Sequence, residues 1–600
     1  MVYGKIKLKL RRYQAAKEKP GTRYNTRLLQ DATTREAFQV ELGNQYEVLE
    51  NLDGDQSVEE SWRHAKAAWT QTCSTTLGKR QGQHKDWMSA TTLQKIEERR
   101  KRKATLNESR TRAAKAEAHR LHTEANQEVK RSVKRDKRNF VEDLARQAEE
   151  AAGRNNLKDL YDITKKLPGS KRSTDHPVND KNGEAQTDET RQLERWKEYF
   201  AELLNRPAPD NPLDIPPADR ELLIKTSRPS KAEIKKAIGL LKNGKAPGPD
   251  GIPPEALKAD VPTSVDMLHT LFGKIWEEEE IPEDWKHGHI IKLPKKGNLK
   301  ECKNWRGITL LSIPGKVLNR ILLERMKTAV DDRLRDEQAG FRKGRSCTDQ
   351  IATLRIILEQ SMEWQSSLYV TFVDFEKAFD SVDRNTLWKL LAHHGIPKKI
   401  INLIRKTYEP SSCQVVHNGS LTSSFNILTG VRQGCLLSPF LFLLAIDWVM
   451  KTALDGHSRG VQWTLFSHLE DIDFADDVTL LSHRQNDMQN KAVAVDGAGS
   501  DIGLKINIPK SKTMRANQTN EDPITIRGVA LEDVERFPHL GSIVCKDGGT
   551  DEDIAVRIGK ATGVFKALRP LWDSRVIRTN TKLRIFNTNV KSTLLFACQM

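Results

Sequence analysis

The sequence predicts an α+β fold built on an antiparallel sheet, and two segments carry the prediction. Leu368-Tyr-Val-Thr-Phe-Val-Asp-Phe-Glu-Lys-Ala-Phe-Asp380 and Asp471-Ile-Asp-Phe-Ala-Asp-Asp-Val-Thr-Leu-Leu481 are apolar, β-rich runs that each deliver carboxylates to an end. In the first, Val370, Phe372 and Asp374 share one strand face by the period of two. In the second, the Asp476-Asp477 step lies between Ile472-Phe474 and Val478-Leu481, where a hairpin turns. From residue 231 onward strands and helices mix without a regular βαβ repeat, which argues for α+β rather than a doubly wound parallel sheet.

The elements follow in chain order. Residues 1–10 alternate apolar positions with Lys5, Lys7 and Lys9, the pattern of one exposed strand, and one strand makes no domain. Residues 11–165 form a basic, mostly helical region. Between Ser57 and Asn156 the chain is rich in Ala, Glu, Lys, Arg and Gln with no proline, and its middle carries the basic runs Glu97–Lys103 and Lys130–Arg138. These read either as an RNA-binding helical arm or as a solvated linker helix, and a short basic cluster also matches a nuclear localisation signal. Residues 166–228 are a linker, with breaks at Lys166–Glu184 and Pro207–Pro217. It holds an amphipathic helix, Glu194–Leu204, whose stripe of Trp196, Phe200 and Leu203 or Leu204 is expected to pack into a core. A helix from Asp349 to Trp364, apolar at Ile351, Leu354, Ile357 and Leu358, is expected to cover the sheet. Phe440 to Ile446 is too short to span a bilayer and reads as a buried helix, so no membrane partner is expected.

Composition narrows the function. Six hundred residues suffice for more than one core. A formal charge of +17 and a pI near 9.3 point to a polyanionic partner, with nucleic acid first. The seven cysteines are scattered with no CxxC and no Cys/His cluster, which argues for a reducing compartment and against a zinc site.

Asp374, Asp476 and Asp477 are the candidate metal ligands. Acid groups held a few ångströms apart raise one another's pKa unless a cation neutralises them, and hard oxygen donors suit Mg²⁺, with Mn²⁺ as an alternative. Two such ions support in-line displacement at a phosphoryl group. Asp331-Asp332 is a contrasting pair in a polar, helix-like stretch, expected to be a solvated face or a helix start.

Nine motifs then occur in order: Lys245-Ala-Pro-Gly-Pro-Asp-Gly251, Leu293-Pro-Lys-Lys-Gly297, Asn304-Trp-Arg-Gly-Ile308, Gln338-Ala-Gly-Phe-Arg-Lys-Gly-Arg345, Ala378-Phe-Asp380, Gly430-Val-Arg-Gln-Gly-Cys-Leu-Leu-Ser-Pro439, Phe474-Ala-Asp-Asp477, Gly503-Leu-Lys-Ile-Asn507 and Phe537-Pro-His-Leu-Gly541. Together they resemble the reverse transcriptases of non-LTR (LINE-type) retrotransposons, from about Lys231 to the C-terminus. The resemblance implies a right-hand polymerase with fingers at 229–365, palm at 366–545 and a partial helical thumb at 546–600. Residues 1–10 would be the last strand of an upstream endonuclease.

By the same resemblance, the backbone carbonyl of Phe375 joins the metal ligands. Phe379 lies under the sugar of the incoming nucleotide and excludes a 2′-hydroxyl, Gln433 and Gly434 contact nucleotide and template, and Lys295, Lys296 and Arg306 clamp the triphosphate. Lys510 looks like the donor that protonates departing pyrophosphate, with Lys512 a close rival. Phe537, Leu540 and Gly541 resemble the primer grip, and Asp380 is expected to cap the following helix. The implied activity is RNA-directed DNA synthesis with two Mg²⁺ ions, dNTPs, an RNA template and a DNA primer or target, inside the cell in nucleus and cytoplasm. Two alternatives stay open: a degenerate copy that only binds nucleic acid, and a polymerase of another template class, RNA-dependent RNA polymerase or maturase-like.

Overall fold

The computed structural model describes residues 21–596 apart from 22, 51–55, 80–86, 110, 154–159, 161–162, 165–176, 210–212, 457, 465–466, 519 and 521. The expected strand at 1–10 and part of the linker at 166–184 therefore lie outside the described residues. The chain divides into two compact units. One comprises Met1–Arg80, Ser173–Leu540 and Cys545–Gly548, and the other Gln81–Arg172, Gly541–Val544 and Gly549–Met600.

Helices α1 (Ala32–Glu50) and α2 (Val58–Thr76) belong to the first unit. A reciprocal capping box between Ser57 and Glu60 starts α2, satisfying backbone donors that the first turn leaves free. Its Trp62 and Trp69 are buried in the main core, and Trp62 meets Trp285 edge-on at 5.2 Å. Helices α3 (Ala90–Glu108) and α4 (Arg112–Gly153) belong to the second unit. The basic region expected as one piece at 11–165 is thus divided, and side-chain size explains it. The aromatic face of α2 needs a large core, whereas α4 buries mainly alanines.

The remainder of the first unit follows in order. Helix α5 (Glu189–Leu203) is capped by Asp188 and buries Trp196 and Phe200 against Ile290, Trp305 and Val415, the core packing its stripe predicts. Helices α6 (Lys231–Gly239) and α7 (Val261–Glu278) precede a hairpin of β1 (His287–Pro294) and β2 (Trp305–Leu310). Then come α8 (Ile313–Asp331), α9 (Cys347–Glu363), β3 (Leu368–Val373), α10 (Arg384–His393), β4 (Ser412–His417) and α11 (Ser438–Leu454). Strand β4 pairs in parallel with β1, so the fingers sheet borrows a strand from residues that the reading allots to the palm. Pro439 lies in the first turn of α11, whose Phe440 to Ile446 are buried as expected.

The pair Asp331-Asp332 ends helix α8 instead of starting one. Carboxylates are disfavoured at the negative end of a helix dipole, and Arg342 compensates by pairing with Asp331 at 2.7 Å.

The palm sheet adds β5 (Asp471–Phe474), β6 (Asp477–Ser482), β7 (Lys512–Ala516) and β8 (Glu532–Asp533), in the order β5-β6-β3-β7-β8. It is antiparallel except at its edge, where β7 and β8 run parallel. Strand β3 is central and buried on both faces along its whole length, which is why it reads as a continuous apolar run. Helix α12 (Gln485–Asp501) packs on β6 and β3, and α9 reaches β5 and β7, the covering role its apolar positions predict. Strand β9 (Arg536–His539) lays Phe537 on Phe372 of β3, ring centroids 4.0 Å apart.

In the second unit, α13 (Asp551–Ala567) and α14 (Thr579–Ile585) share a core with α4. Leu144, Ala145 and Ala148 of α4 meet Leu568, Leu571 and Ile585 there. The helical C-terminal segment and the basic arm are one packed body.

Candidate active site

The β5–β6 hairpin and the end of β3 build the site. Phe474 pairs with Asp477 across a tight turn at Ala475-Asp476, in which Ala475 takes the left-handed conformation at φ 60°. One buried side chain holds this turn. Gln338 Oε1 accepts from the Ala475 and Gly340 amides, both at 2.8 Å, and Gln338 Nε2 donates to the Ala475 carbonyl at 3.3 Å. A side chain on Gly340 would come within 2.2 Å of the Ala475 nitrogen, so glycine is required at that contact.

Behind the hairpin lies a buried charge cluster. Arg335 grips Asp471 through two bonds of 2.8 and 2.6 Å and Asp473 through one of 2.6 Å, while its amide donates to Asp447 Oδ1 at 2.9 Å. The side chains of all three aspartates are fully enclosed. Burial, and then the charge of Asp471, hold the Asp473 carboxyl well above the ordinary range despite Arg335.

Asp374 follows β3, with its amide on Ser511 Oγ at 3.1 Å and its carbonyl accepting from Asn507 at 2.7 Å. Its carboxylate pairs with Lys510 Nζ at 3.0 Å. Asp476 is raised by burial and then by the charge of Asp374, with Arg306 and Lys510 opposing. Asp477 is pushed up to about 6 by burial and then by Asp476 and Asp374. The three predicted carboxylates therefore feel one another's charge.

Asp374, Phe375 and Asp476 line a cleft of about 1050 Å³. The same cleft is walled by Phe379, Gln433 and Gly434, and on its cationic side by Lys295, Lys296, Arg306 and Lys510. Asp477 stands beside it in the hairpin. Of the two lysines left open by the sequence, Lys510 faces the cleft and Lys512 is bound to Glu532 at 2.5 Å. Phe537, Leu540 and Gly541 are not in the cleft lining. Phe537 is stacked on the palm strand, and Leu540 and Gly541 take left-handed conformations at φ 48° and 93°.

Phe379 is stacked on Phe442 at 4.6 Å, which fixes its ring against the cleft floor. Gly434 has φ 112°, and a Cβ there would meet the Thr309 carbonyl at 2.5 Å. The Gln433 carbonyl accepts from the Thr309 amide at 2.7 Å. These contacts tie the loop to strand β2.

Asp380 does not cap the next helix. Asp383 does, accepting from the Thr386 amide at 2.8 Å. Asp380 is buried beneath the cleft, where its two oxygens accept from Gln433 Nε2 at 3.1 and 3.2 Å. Burial pushes it up to about 6. A carboxylate only accepts, so it turns the amide nitrogen of Gln433 toward itself and leaves the amide oxygen for the cleft.

The sequence reading missed Arg335, Gln338 and Lys377. Lys377 sits left-handed at φ 53° in the cleft wall, donates to the Tyr199 hydroxyl at 3.3 Å, and is brought down to about 8 by burial and then by Lys295. The one available signal was Asp471 and Asp473 themselves: two acids at alternate positions of an apolar strand require a buried cation.

The donor set suits a hard divalent cation. No group of three His, Cys, Asp or Glu forms a ready cage among the described residues. A divalent cation is commonly held by one or two carboxylates, with substrate phosphate and water completing its shell, and the cleft lining offers two, Asp374 and Asp476.

Residues 293–543 match the family model described as reverse transcriptase (RNA-dependent DNA polymerase). This segment is a reverse transcriptase domain. The domain is of LINE type, with the α+β fold on an antiparallel sheet that the sequence predicts. It is similar to the transposon TX1 uncharacterized 149 kDa protein of Xenopus laevis, 26% identical over 355 residues, covering 56% of this chain and 26% of that protein. The retrovirus-related Pol polyprotein from type-2 retrotransposable element R2DM of Drosophila melanogaster is 26% identical over 317 residues, 53% of this chain and 29% of that one. The Pol polyprotein from type-1 retrotransposable element R2 of Popillia japonica is 29% identical over 290 residues, 48% and 39%. The chain thus spans about a quarter to two fifths of the length of these relatives. Beyond the reverse transcriptase domain, residues 564–596 match a domain of unknown function.

Proposed function

We propose that the chain is an RNA-directed DNA polymerase of a non-LTR retrotransposon, extending a DNA primer along an RNA template with dNTPs. One observation carries the reading: a strand end and a hairpin put Asp374 and Asp476 in the lining of one cleft, with Asp477 next to them in the hairpin, and Lys295, Lys296, Arg306 and Lys510 line the same cleft. Asp374, Asp476, Asp477 and the Phe375 carbonyl would hold the divalent cations, two Mg²⁺ ions in this reading. Ions held by these residues would supply charge neutralisation at the triphosphate and a lowered pKa for the primer hydroxyl.

The chain's own side chains do the rest. Arg306 offers two parallel N–H groups to phosphate oxygens, and Lys295, Lys296 and Lys377 add point charges. Lys510, exposed beside Asp374, delivers a proton to the departing pyrophosphate. Gln433 presents an acceptor to the nucleotide, oriented by Asp380. Phe537, Leu540 and Gly541 steady the primer end. The protein acts inside the cell, in nucleus and cytoplasm.

The test is primer extension on an RNA template with Mg²⁺, comparing the chain with its Asp476→Asn variant. Incorporation that depends on Asp476 supports the reading, and equal incorporation by both leaves only nucleic-acid binding. Phe379 supplies a second check. Its ring blocks the space a 2′-hydroxyl needs, so Phe379→Ala is expected to relax the preference for deoxynucleotides by roughly 10- to 100-fold, equivalent to about 1–3 kcal/mol. Unchanged sugar discrimination would reject Phe379 as the gate.

A further inference from the structure

Phe341 is held in a conformation that a large side chain resists. Its backbone has φ 57°, in the left-handed region that glycine enters freely and phenylalanine enters at a cost. Packing does not compensate: the residue is 57% exposed. Among the described residues it is the one exposed large apolar side chain in the lining of the cleft that holds Asp374 and Asp476.

The neighbours on both sides explain how the strain is kept. Gly340 is locked by its bond to Gln338 and by its close approach to Ala475. Arg342, its side chain only 4% exposed, bonds the Asp331 carboxylate at 2.7 Å and the carbonyls of Asp331, Arg335 and Gln338 at 3.0, 2.5 and 3.1 Å. The chain is pinned before and after Phe341, and the ring is driven into the cleft. Strain that persists beside a site, without packing to offset it, is the signature of a ligand contact.

We propose that Phe341 is a stacking platform for an unpaired base of the template strand entering the cleft. An exposed ring accepts the face of any base, and the exposed Lys343 two residues on suits the phosphate of the same strand. Both properties belong to sequence-independent binding of a single strand. The inference rests on the proposed function only in that a primer–template must occupy the cleft.

The experiment is a binding titration, without dNTPs and at fixed salt. It uses an RNA template annealed to a DNA primer, with a 5′ template overhang that carries 2-aminopurine at successive positions. The wild type is expected to quench the probe at one overhang position. Phe341→Ala should lose that quenching and bind about 5- to 100-fold more weakly, the range for one base stack, while Phe341→Trp and Phe341→Tyr retain both. A blunt duplex should bind the wild type and Phe341→Ala alike.

Phe341→Gly separates this from a packing role. It relieves the left-handed strain, so it should melt no lower than wild type and still bind as weakly as Phe341→Ala. Unchanged affinity and quenching in Phe341→Ala, or a several-degree loss of melting temperature in Phe341→Gly, would overturn the proposal while leaving the polymerase reading intact. Failure of the wild type to bind the primer–template at all would sink both.

Discussion

Asp476→Asn is expected to cut nucleotide incorporation by about 10³-fold while leaving the metal-free fold as stable as before or more so. The two halves of this expectation have one cause. Metal-held charge stabilisation of a phosphoryl-transfer transition state is worth several kcal/mol, and each 1.36 kcal/mol is tenfold in rate. Without metal, the same carboxylates are a liability: burial and mutual repulsion raise Asp476, and they raise Asp477 to about 6. For an acid with a raised folded pKa, the folded state binds a proton that the unfolded state has already lost in the window from about 4 to about 6. Stability therefore falls as pH rises through that window and stays lower above it. Thermal melts check this directly. The metal-free wild type should melt higher at pH 5 than at pH 7.5, Mg²⁺ should raise the melting temperature at pH 7.5 more than at pH 5, and Asp476→Asn should blunt both responses. A variant that loses activity together with several degrees of stability at pH 7.5 would mean that Asp476 is a structural residue.

The second large effect belongs to a residue that touches no substrate. Arg335→Met is expected to cost about 3–5 kcal/mol of stability, since removing one partner of a buried ion cluster strands the others without water. Two enclosed carboxylates, Asp471 and Asp473, depend on that guanidinium, and both lie on the strand that leads into the Ala475-Asp476 turn, while Asp447 takes the Arg335 amide and is paired with Lys451 at 2.9 Å. Calorimetry should record a fall of roughly 3–5 °C in the transition of this large unit. Combining Arg335→Met with Asp471→Asn and Asp473→Leu should restore much of the loss, because a neutral cluster of similar volume carries no uncompensated charge. A melting temperature within a degree of wild type for Arg335→Met would show that water or another cation reaches the cluster.

The helical character of residues 57–156 and the palm hairpin were legible because their causes are local, while the breaks between α2, α3 and α4 were not. Ser57 and Glu60 signal a helix start within four residues, and the alternation through Ile472 and Phe474 marks a strand, although Asp471 and Asp473 on its other face are enclosed as fully as Ile472. Asp380 shows where local rules stop. An aspartate just before a helix reads as a cap, and Asp383 met that need three residues later, so Asp380 was free to serve Gln433, 53 residues away in sequence. Lys377 likewise carries no local signal, since Tyr199 and Lys295 reach it only in the folded chain.

Side-chain periodicity, turn chemistry and the order of the motifs already specified an α+β palm with carboxylates at a strand end and a hairpin, since each depends on neighbours a few residues apart. Folding in three dimensions settled which charges are neutralised and which stay in tension. Arg335 meets Asp471 across 136 residues and Gln338 meets Ala475 across 137. The energy of a buried charge or a strained turn depends on what lies within a few ångströms after the chain has closed, and no window of sequence contains that information.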